Sequence, residues 1–312
     1  MDLSIVIPLF NERDNLRPLH DELVRVLAPL GRAYEMVFVD DGSTDGSLEV
    51  LREIKAGDEH VRVLSLAKNS GQTAALACGL KSASGEIVIA LDADGENDPA
   101  DIPRLLEELD HGYDLVSGWR TERWREAPGT RRLPSVAANA LISKLTGVRL
   151  HDYGCTFKAY RRWVAQRLLL YGEMHRFIPA IAAELGARIS EIPVGFRPRR
   201  TGQSKYGMGR VVRTLLDLLT VLFLSSYATR PIQVFGTIGI VLGGLGGIWT
   251  ASLVFGKIVL GHPLANRPAL LLAVLLVVVG VQFVSLGLLG EMIARTYHES
   301  QDKPIYVIKQ EF

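Results

Sequence analysis

The sequence predicts an α/β domain on a mainly parallel sheet, followed by an interfacial amphipathic helix and two transmembrane helices. Three observations carry this reading. Short apolar runs alternate with helical patterns through residues 1–205. Residues 231–290 are almost free of charge. Each of the first four apolar runs gives way at once to polar or acidic residues.

The strand-like runs are Ser4–Pro8, Glu35–Val39, Val61–Ser65, Ile87–Leu91 and Asp114–Ser117. Helical patterns such as Leu16–Leu30 and Ser47–Ala56 lie between the first four. Such alternation predicts βαβ units, and ligands on parallel sheets bind at the carboxyl ends of strands. The residues at those ends therefore matter. The first strand delivers Pro8-Leu9-Phe10-Asn11-Glu12 and the second Asp40-Asp41-Gly42-Ser43-Thr44-Asp45. The third delivers Lys68-Asn69-Ser70-Gly71-Gln72 and the fourth Asp92-Ala93-Asp94-Gly95-Glu96-Asn97-Asp98. Taken alone, Asp-Asp-Gly-Ser could be a helix-capping turn, a reading that suits Asp45 better than Asp41. Convergence of all four on one rim points to a site.

Asp92, Asp94 and Glu96 put three carboxylates within five residues. Oxygen ligands of this kind suit Mg²⁺ or Mn²⁺ bridging a diphosphate. A divalent ion there would stabilise a departing nucleoside diphosphate. The GxGxxG and GxxxxGK[ST] phosphate loops are absent, which argues against a dinucleotide oxidoreductase or a P-loop ATPase.

Pro231 to Gly256 and Pro268 to Gly290 contain no charged side chain. Each exceeds the roughly 20 apolar residues needed to span a bilayer, the alternative being a pair of buried core helices. The short connector around Gly261–Asn266 predicts a hairpin with both ends on one side. Arg197, Arg199, Arg200, Lys205, Arg210, Arg213 and Arg230 precede it, and Arg295, Lys303 and Lys309 come after it, against Lys257 and Arg267 at the connector. The positive-inside rule then places the N-terminal domain and both termini in the cytoplasm. Gly239, Gly243, Gly244, Gly246 and Gly247 give the first span a small-residue face for packing within the hairpin or between subunits. Over residues 209–229, Arg210, Arg213 and Asp217 share one helical face against leucines and valines, the pattern of a helix lying in the interface.

A net charge of +1 and an apolar fraction of 48% exclude polyelectrolyte and disordered classes, and no nucleic-acid partner is expected. Cys78 and Cys155 are too few for a disulfide framework and lack metal-ligand spacing. The N-terminus reads as a strand rather than a signal peptide.

With these motifs in order, the chain resembles family 2 glycosyltransferases of the GT-A (Rossmann-like) fold, to which Asp-Asp-Gly-Ser and Asp-x-Asp belong. Within them it is similar to polyprenyl-phosphate glycosyltransferases: dolichol-phosphate mannose synthase, GtrB-type glucosyltransferases and, more nearly, the bacterial transferase that loads formamido-arabinose onto undecaprenyl phosphate. Asp152-Tyr153-Gly154-Cys155, Ala159-Tyr160-Arg161-Arg162, Phe177-Ile178-Pro179, Gly202-Gln203-Ser204-Lys205-Tyr206 and Gly287-Leu288-Leu289-Gly290-Glu291 carry that likeness. It implies a GT-A domain over 1–205, an interfacial helix over 206–230, a transmembrane hairpin over 231–296 and a cytoplasmic tail over 297–312.

Residue by residue, the resemblance implies nucleoside contacts at Pro8, Phe10, Glu12, Val39 and Asp41. Phe10 stands where some relatives carry Tyr. It places metal and diphosphate at Asp92, Ala93 and Asp94, and Glu96 where Gln is frequent. Arg120, Arg131 and Ser135 match positions that grip phosphate or sugar, and Arg199 and Lys205 match acceptor-phosphate contacts. Arg and Lys just before an interfacial helix are well placed to meet a lipid phosphate. The implied partners are a nucleotide-sugar, with UDP suggested by the bacterial members and GDP open, a polyprenyl phosphate, the bacterial inner membrane and other copies of the chain in a tetramer. The product would be a lipid-linked sugar for envelope glycan or lipid A modification.

The implied reaction is inverting transfer to the lipid phosphate, with Asp94, Arg120 and Asp152 in the catalytic set. An alcohol acceptor would require a general base, whereas a phosphate with a second pKa near 6 is largely ionised at neutral pH. Asp152 aligns with a position proposed as base in relatives and is assigned here to orientation, with the base role open. His151 and His175 are not placed in the site. A polysaccharide synthase acting on a hydroxyl acceptor is the rival enzyme, but Gln166-Arg167-Leu168 does not match its Gln-x-x-Arg-Trp motif and two spans are few for a polymer channel. A non-catalytic membrane scaffold would not require carboxylates at successive strand ends.

Overall fold

Seven consecutive residues with every side chain buried form β1, Leu3–Leu9, and seven more form β2, Tyr34–Asp40. Runs of this kind are what a parallel sheet covered on both faces demands. The computed structural model describes residues 1–124, 143, 147–170, 174–197, 231–260, 268–300 and 306–312. It divides into two compact units, Met1–Val221 with Pro304–Phe312, and Leu222–Lys303.

The first unit continues with β3 (Val61–Leu66), β4 (Ile87–Ala90), β5 (Leu115–Arg120), β6 (Lys158–Arg161), β7 (Ile189–Val194) and β8 (Ile308–Glu311). Helices α1 (Arg13–Leu27), α2 (Ser47–Gly57), α3 (Gln72–Ser82), α4 (Ile102–Asp110), α5 (Arg162–Arg167) and α6 (Ile178–Glu184) intervene. Leu16, Leu19, Leu23 and Leu27 form a single buried stripe on α1, as Ile102, Leu105, Leu106 and Leu109 do on α4. Both stripes enter one core with Ile5, Phe38 and Ile89 of the sheet.

The strand order is β7-β5-β6-β4-β1-β2-β3-β8. β1 pairs in parallel with both β2 and β4. The chain therefore winds outward through β2 and β3, then reverses to place β4 on the other side of β1. That reversal opens a crevice beyond the carboxyl ends of β1 and β4, where ligands of open α/β sheets bind.

The sequence reading of five strands is extended by three. β6 runs antiparallel between β4 and β5, and β7 is parallel to β5. β8 comes from the segment that the resemblance assigns to a separate tail. It pairs antiparallel with β3 and so covers an edge whose backbone groups would otherwise be open to association. Arg62 meets Glu311, Arg52 bonds Gln310 at 2.8 Å, and the Arg52 guanidinium lies 5.3 Å from the Phe312 ring centre. The Ala67 N–H donates to Val307 O at 2.9 Å, extending the pairing to the end of β3.

The second unit contains α7 (Pro231–Leu260) and α8 (Pro268–Ser300). Phe235–Val259 and Pro268–Gly290 are long and apolar enough to cross a membrane, with mean hydropathy 1.9 and 2.8. Only 11% of each is buried, so neither is the core helix that was the alternative. A Cβ on Gly280 would lie 2.5 Å from Gly243 N, so the two backbones touch there. Gly239 and Gly246 also face α8, whereas Gly244 and Gly247 have nothing within 4 Å. The juxtamembrane segment 206–230 lies outside the described residues.

Candidate active site

The loop after β1 is knitted to the turn after β2. Asn11 Oδ1 accepts from Thr44 N at 2.8 Å, and Asn11 N donates to Ser43 Oγ at 2.9 Å. Asn11 has φ +58°, a strained conformation these bonds hold in place. Asp45 accepts from Arg13 N and from the N–H and Oγ of Ser47, so its role is the turn-capping one. Phe10 stands at the rim with 43% of its surface exposed, an aromatic ring open to solvent. Pro8 and Val39 are buried in their strands, and half-buried Glu12 accepts from Asn15 Nδ2.

Asp41 is 3% exposed, with its two oxygens on the N–H groups of Ser70 (2.7 Å) and Gly71 (2.8 Å). It thereby fixes the loop after β3 against the end of β2. Gly42 makes that approach possible: a Cβ there would lie 2.9 Å from Asn69 N, and its φ is +73°. Burial pushes the Asp41 carboxyl up despite the two amide bonds.

Asp92, Ala93 and Asp94 come directly after β4, beside the end of β1. Asp92 accepts from Gln72 Nε2 at 2.8 Å. Burial and the Asp94 charge push its carboxyl up to about 6, against hydrogen bonds from Thr156 and Gln72. Asp94 is 6% exposed and accepts from Glu96 N at 3.0 Å. Two carboxylates this close, one raising the pKa of the other, fit a divalent cation. Among the described residues, however, no three His, Cys, Asp or Glu side chains converge to hold a metal ion. The donor set fits an ion completed by diphosphate and water rather than an all-protein cage. Glu96, grouped by the sequence with the metal ligands, has its carboxylate 3.8 Å from Arg120 Nη1, drawn there by a buried guanidinium.

Arg120, 5% exposed at the end of β5, is the hub of the other wall. Its Nε donates to Asp152 Oδ2 at 2.8 Å and its Nη2 to Asp152 Oδ1 at 3.1 Å. Burial works against the guanidinium charge, and the neighbouring acidic groups outweigh it, so Arg120 stays protonated. Arg197, which the sequence counts among the charges before the first span, bonds Glu22 at 2.9 Å and Asp98 at 2.5 Å and so braces the turn after β4. Arg131, Ser135, Arg199 and Lys205 lie outside the described residues.

Sequence reasoning missed Thr156, Glu191 and Lys158, and it named Gln72 only within the third strand-end run, without a role. A polar residue just past a Gly-containing turn gives Gln72 a weak signal. The signal for Lys158 is one cation inside an otherwise apolar run. His175, partly buried, has Nδ1 2.7 Å from Thr73 Oγ1, and burial pushes its pKa down to about 3, so it is neutral.

An open α/β sheet with acidic and aromatic groups at its switch point defines a ligand-binding α/β domain as the class. Residues 4–169 match the family described as Glycosyl transferase family 2. The chain belongs to that family and is a glycosyltransferase. It is 41% identical to the dodecaprenyl-phosphate galacturonate synthase of Rhizobium johnstonii, over 100% of this chain and 93% of the relative. It is 39% identical to the undecaprenyl-phosphate 4-deoxy-4-formamido-L-arabinose transferase of Edwardsiella ictaluri, over 98% and 93%. The fold resembles glucosyl-3-phosphoglycerate synthase from Mycobacterium tuberculosis in complex with Mn²⁺ and UDP-glucose, with TM-score 0.53, 23% identity, and coverage of 71% of this chain and 78% of that one.

Proposed function

We propose that this protein transfers one sugar, with inversion, from a UDP-sugar to the phosphate of a polyprenyl lipid at the cytoplasmic face of a bacterial inner membrane. The observation that supports it most is the full-length likeness to two polyprenyl-phosphate sugar transferases, which extends across both apolar helices. Return of the chain as β8 to the sheet it left supports a hairpin with both ends on one side. A tetrameric assembly belongs to the same proposal.

In this reading Phe10 stacks on the base, and Glu12 and Asp41 line the nucleoside end. Asp92 and Asp94 would hold Mg²⁺ or Mn²⁺, which when bound neutralises the departing diphosphate. The acceptor phosphate needs no base, so positioning and charge complementarity carry the rate. Asp152, held on both oxygens by Arg120, orients sugar or acceptor. Arg131, Ser135, Arg199 and Lys205 are proposed to meet the acceptor phosphate. Galacturonate and formamido-arabinose donors are the first to try.

The test is incubation of the full-length protein with undecaprenyl phosphate and a panel of nucleotide-sugars, reading lipid products by mass spectrometry. A lipid-linked sugar is expected. Glycosylation of a soluble alcohol with no lipid product from any donor would overturn the proposal.

A further inference from the structure

Residues 151–155 form irregular chain, yet they carry Asp152 and lead into Thr156, whose side chain hydrogen-bonds Asp92. An irregular segment presents a carboxylate reproducibly only if its own backbone is tied down. Two charged side chains, from the strands on either side of β5, do this.

From β6, Lys158 approaches on the inside. It is 1% exposed, and its Nζ donates to the carbonyl oxygens of Tyr153, at 3.3 Å, and of Cys155. From β7, Glu191 holds the other end. Its Oε1 accepts from the N–H groups of His151 (3.0 Å) and Asp152 (2.9 Å), while its Oε2 accepts from His151 N at 2.9 Å and lies 2.8 Å from His151 Nδ1. The exposed His151 ring stacks on Trp119, centre to centre 4.2 Å, which completes the clamp. Burying an ammonium is unfavourable unless strong hydrogen bonds compensate it. A methionine would fill the same volume without burying a charge but would take away the donor that the Tyr153 and Cys155 carbonyls share, so Lys158 is tied to the backbone of this loop.

We propose that Lys158 and Glu191 are positioning residues that grip the 151–155 loop from opposite ends and thereby set where the Arg120–Asp152 pair meets the donor sugar. Neither touches substrate. The inference rests on the proposed sugar transfer, except for the grip on the loop, which the exchange arm tests by itself.

The experiment compares full-length wild type with Lys158→Met, Glu191→Ala and Glu191→Gln. It reads hydrogen exchange over residues 150–157, UDP affinity, and kcat and KM for the donor with undecaprenyl phosphate. Exchange over 150–157 should quicken in Lys158→Met and Glu191→Ala, with UDP affinity within about twofold and kcat lowered about tenfold or more, since a displacement of about 1 Å suffices. Glu191→Gln, which keeps an accepting oxygen, should fall between Glu191→Ala and wild type. Unchanged exchange over 150–157, or quicker exchange with wild-type kcat per folded molecule, would overturn the proposal. Should Lys158→Met fail to fold, the two Glu191 variants decide it. An inactive wild type would count against the proposed function, while the exchange arm, which needs no substrate, still decides whether the loop is gripped.

Discussion

Arg120 holds Asp152 by two nearly parallel hydrogen bonds, Nε to Oδ2 at 2.8 Å and Nη2 to Oδ1 at 3.1 Å, and both side chains are buried. A carboxylate gripped on both oxygens by a permanent cation is a poor proton acceptor, because protonation would break a charge-assisted pair. The pair joins the end of β5 to a loop 32 residues further along the chain.

If Asp152 orients rather than abstracts a proton, Asp152→Asn should retain transfer within about tenfold of wild type, because one oxygen still accepts from Arg120. Loss of a general base would cost about 10²–10⁴. Rate measurements with saturating undecaprenyl phosphate separate the two, and a loss in the larger range restores the base assignment.

Asp94 and Glu96 should behave differently although they are two residues apart. Asp94→Asn is expected to lower transfer more than about a hundredfold, as loss of a group serving charge stabilisation does. Glu96→Gln should be milder, since its carboxylate faces Arg120. EDTA should abolish turnover and Mg²⁺ or Mn²⁺ restore it. Wild-type activity in Asp94→Asn, or turnover persisting in EDTA, contradicts the metal assignment.

The first four strand ends were legible because each is an apolar run that stops abruptly at polar residues, and the switch point brings two of them together. β6 was not, since Lys158-Ala159-Tyr160-Arg161 carries two charges and becomes strand-like only once Lys158 finds the Tyr153 and Cys155 carbonyls. Glu191 likewise interrupts β7 for a reason that lies 39 residues away, at Asp152 N. β8 gave no signal at all: Ile308-Lys309-Gln310-Glu311 is exposed throughout and is a strand only because β3 offers it an edge. Residue identities at the site could be read locally. Their pairings depend on long-range register, which composition does not encode.

His175 predicts an acid sensitivity. Its folded pKa of about 3 lies below the unfolded value near 6.5, so the unfolded chain binds the extra proton between those limits. The stabilisation is complete above about pH 6.5 and is lost as the pH falls toward 3. Allowing for its partial exposure, the loss by pH 5 should be about 1–2 kcal/mol. Denaturation midpoints measured from pH 8 to 5 should decline less in His175→Gln than in wild type. Parallel curves would show that His175 contributes nothing to the acid limb.

The β3–β8 pairing ties residues 307–312 to the strand that leads into the loop held by Asp41, the proposed donor side. Ala67 N bonds Val307 O, and three residues further on Ser70 N bonds Asp41. Removing residues 307–312 should therefore both bare the β3 edge and loosen the loop that Asp41 grips. The truncated protein is expected to self-associate on size exclusion in detergent and to bind UDP more weakly. Phe312→Ala isolates the packing part: it should cost about 1–2 kcal/mol, below the roughly 3–5 of a fully buried ring, because Phe312 lies half-buried with Arg52 over its face. Glu311→Ala removes only an exposed ion pair with Arg62 and should change stability by less than about 1 kcal/mol. If truncation leaves UDP affinity and the oligomeric profile as they were, β8 only covers an edge and has no part in shaping the donor loop.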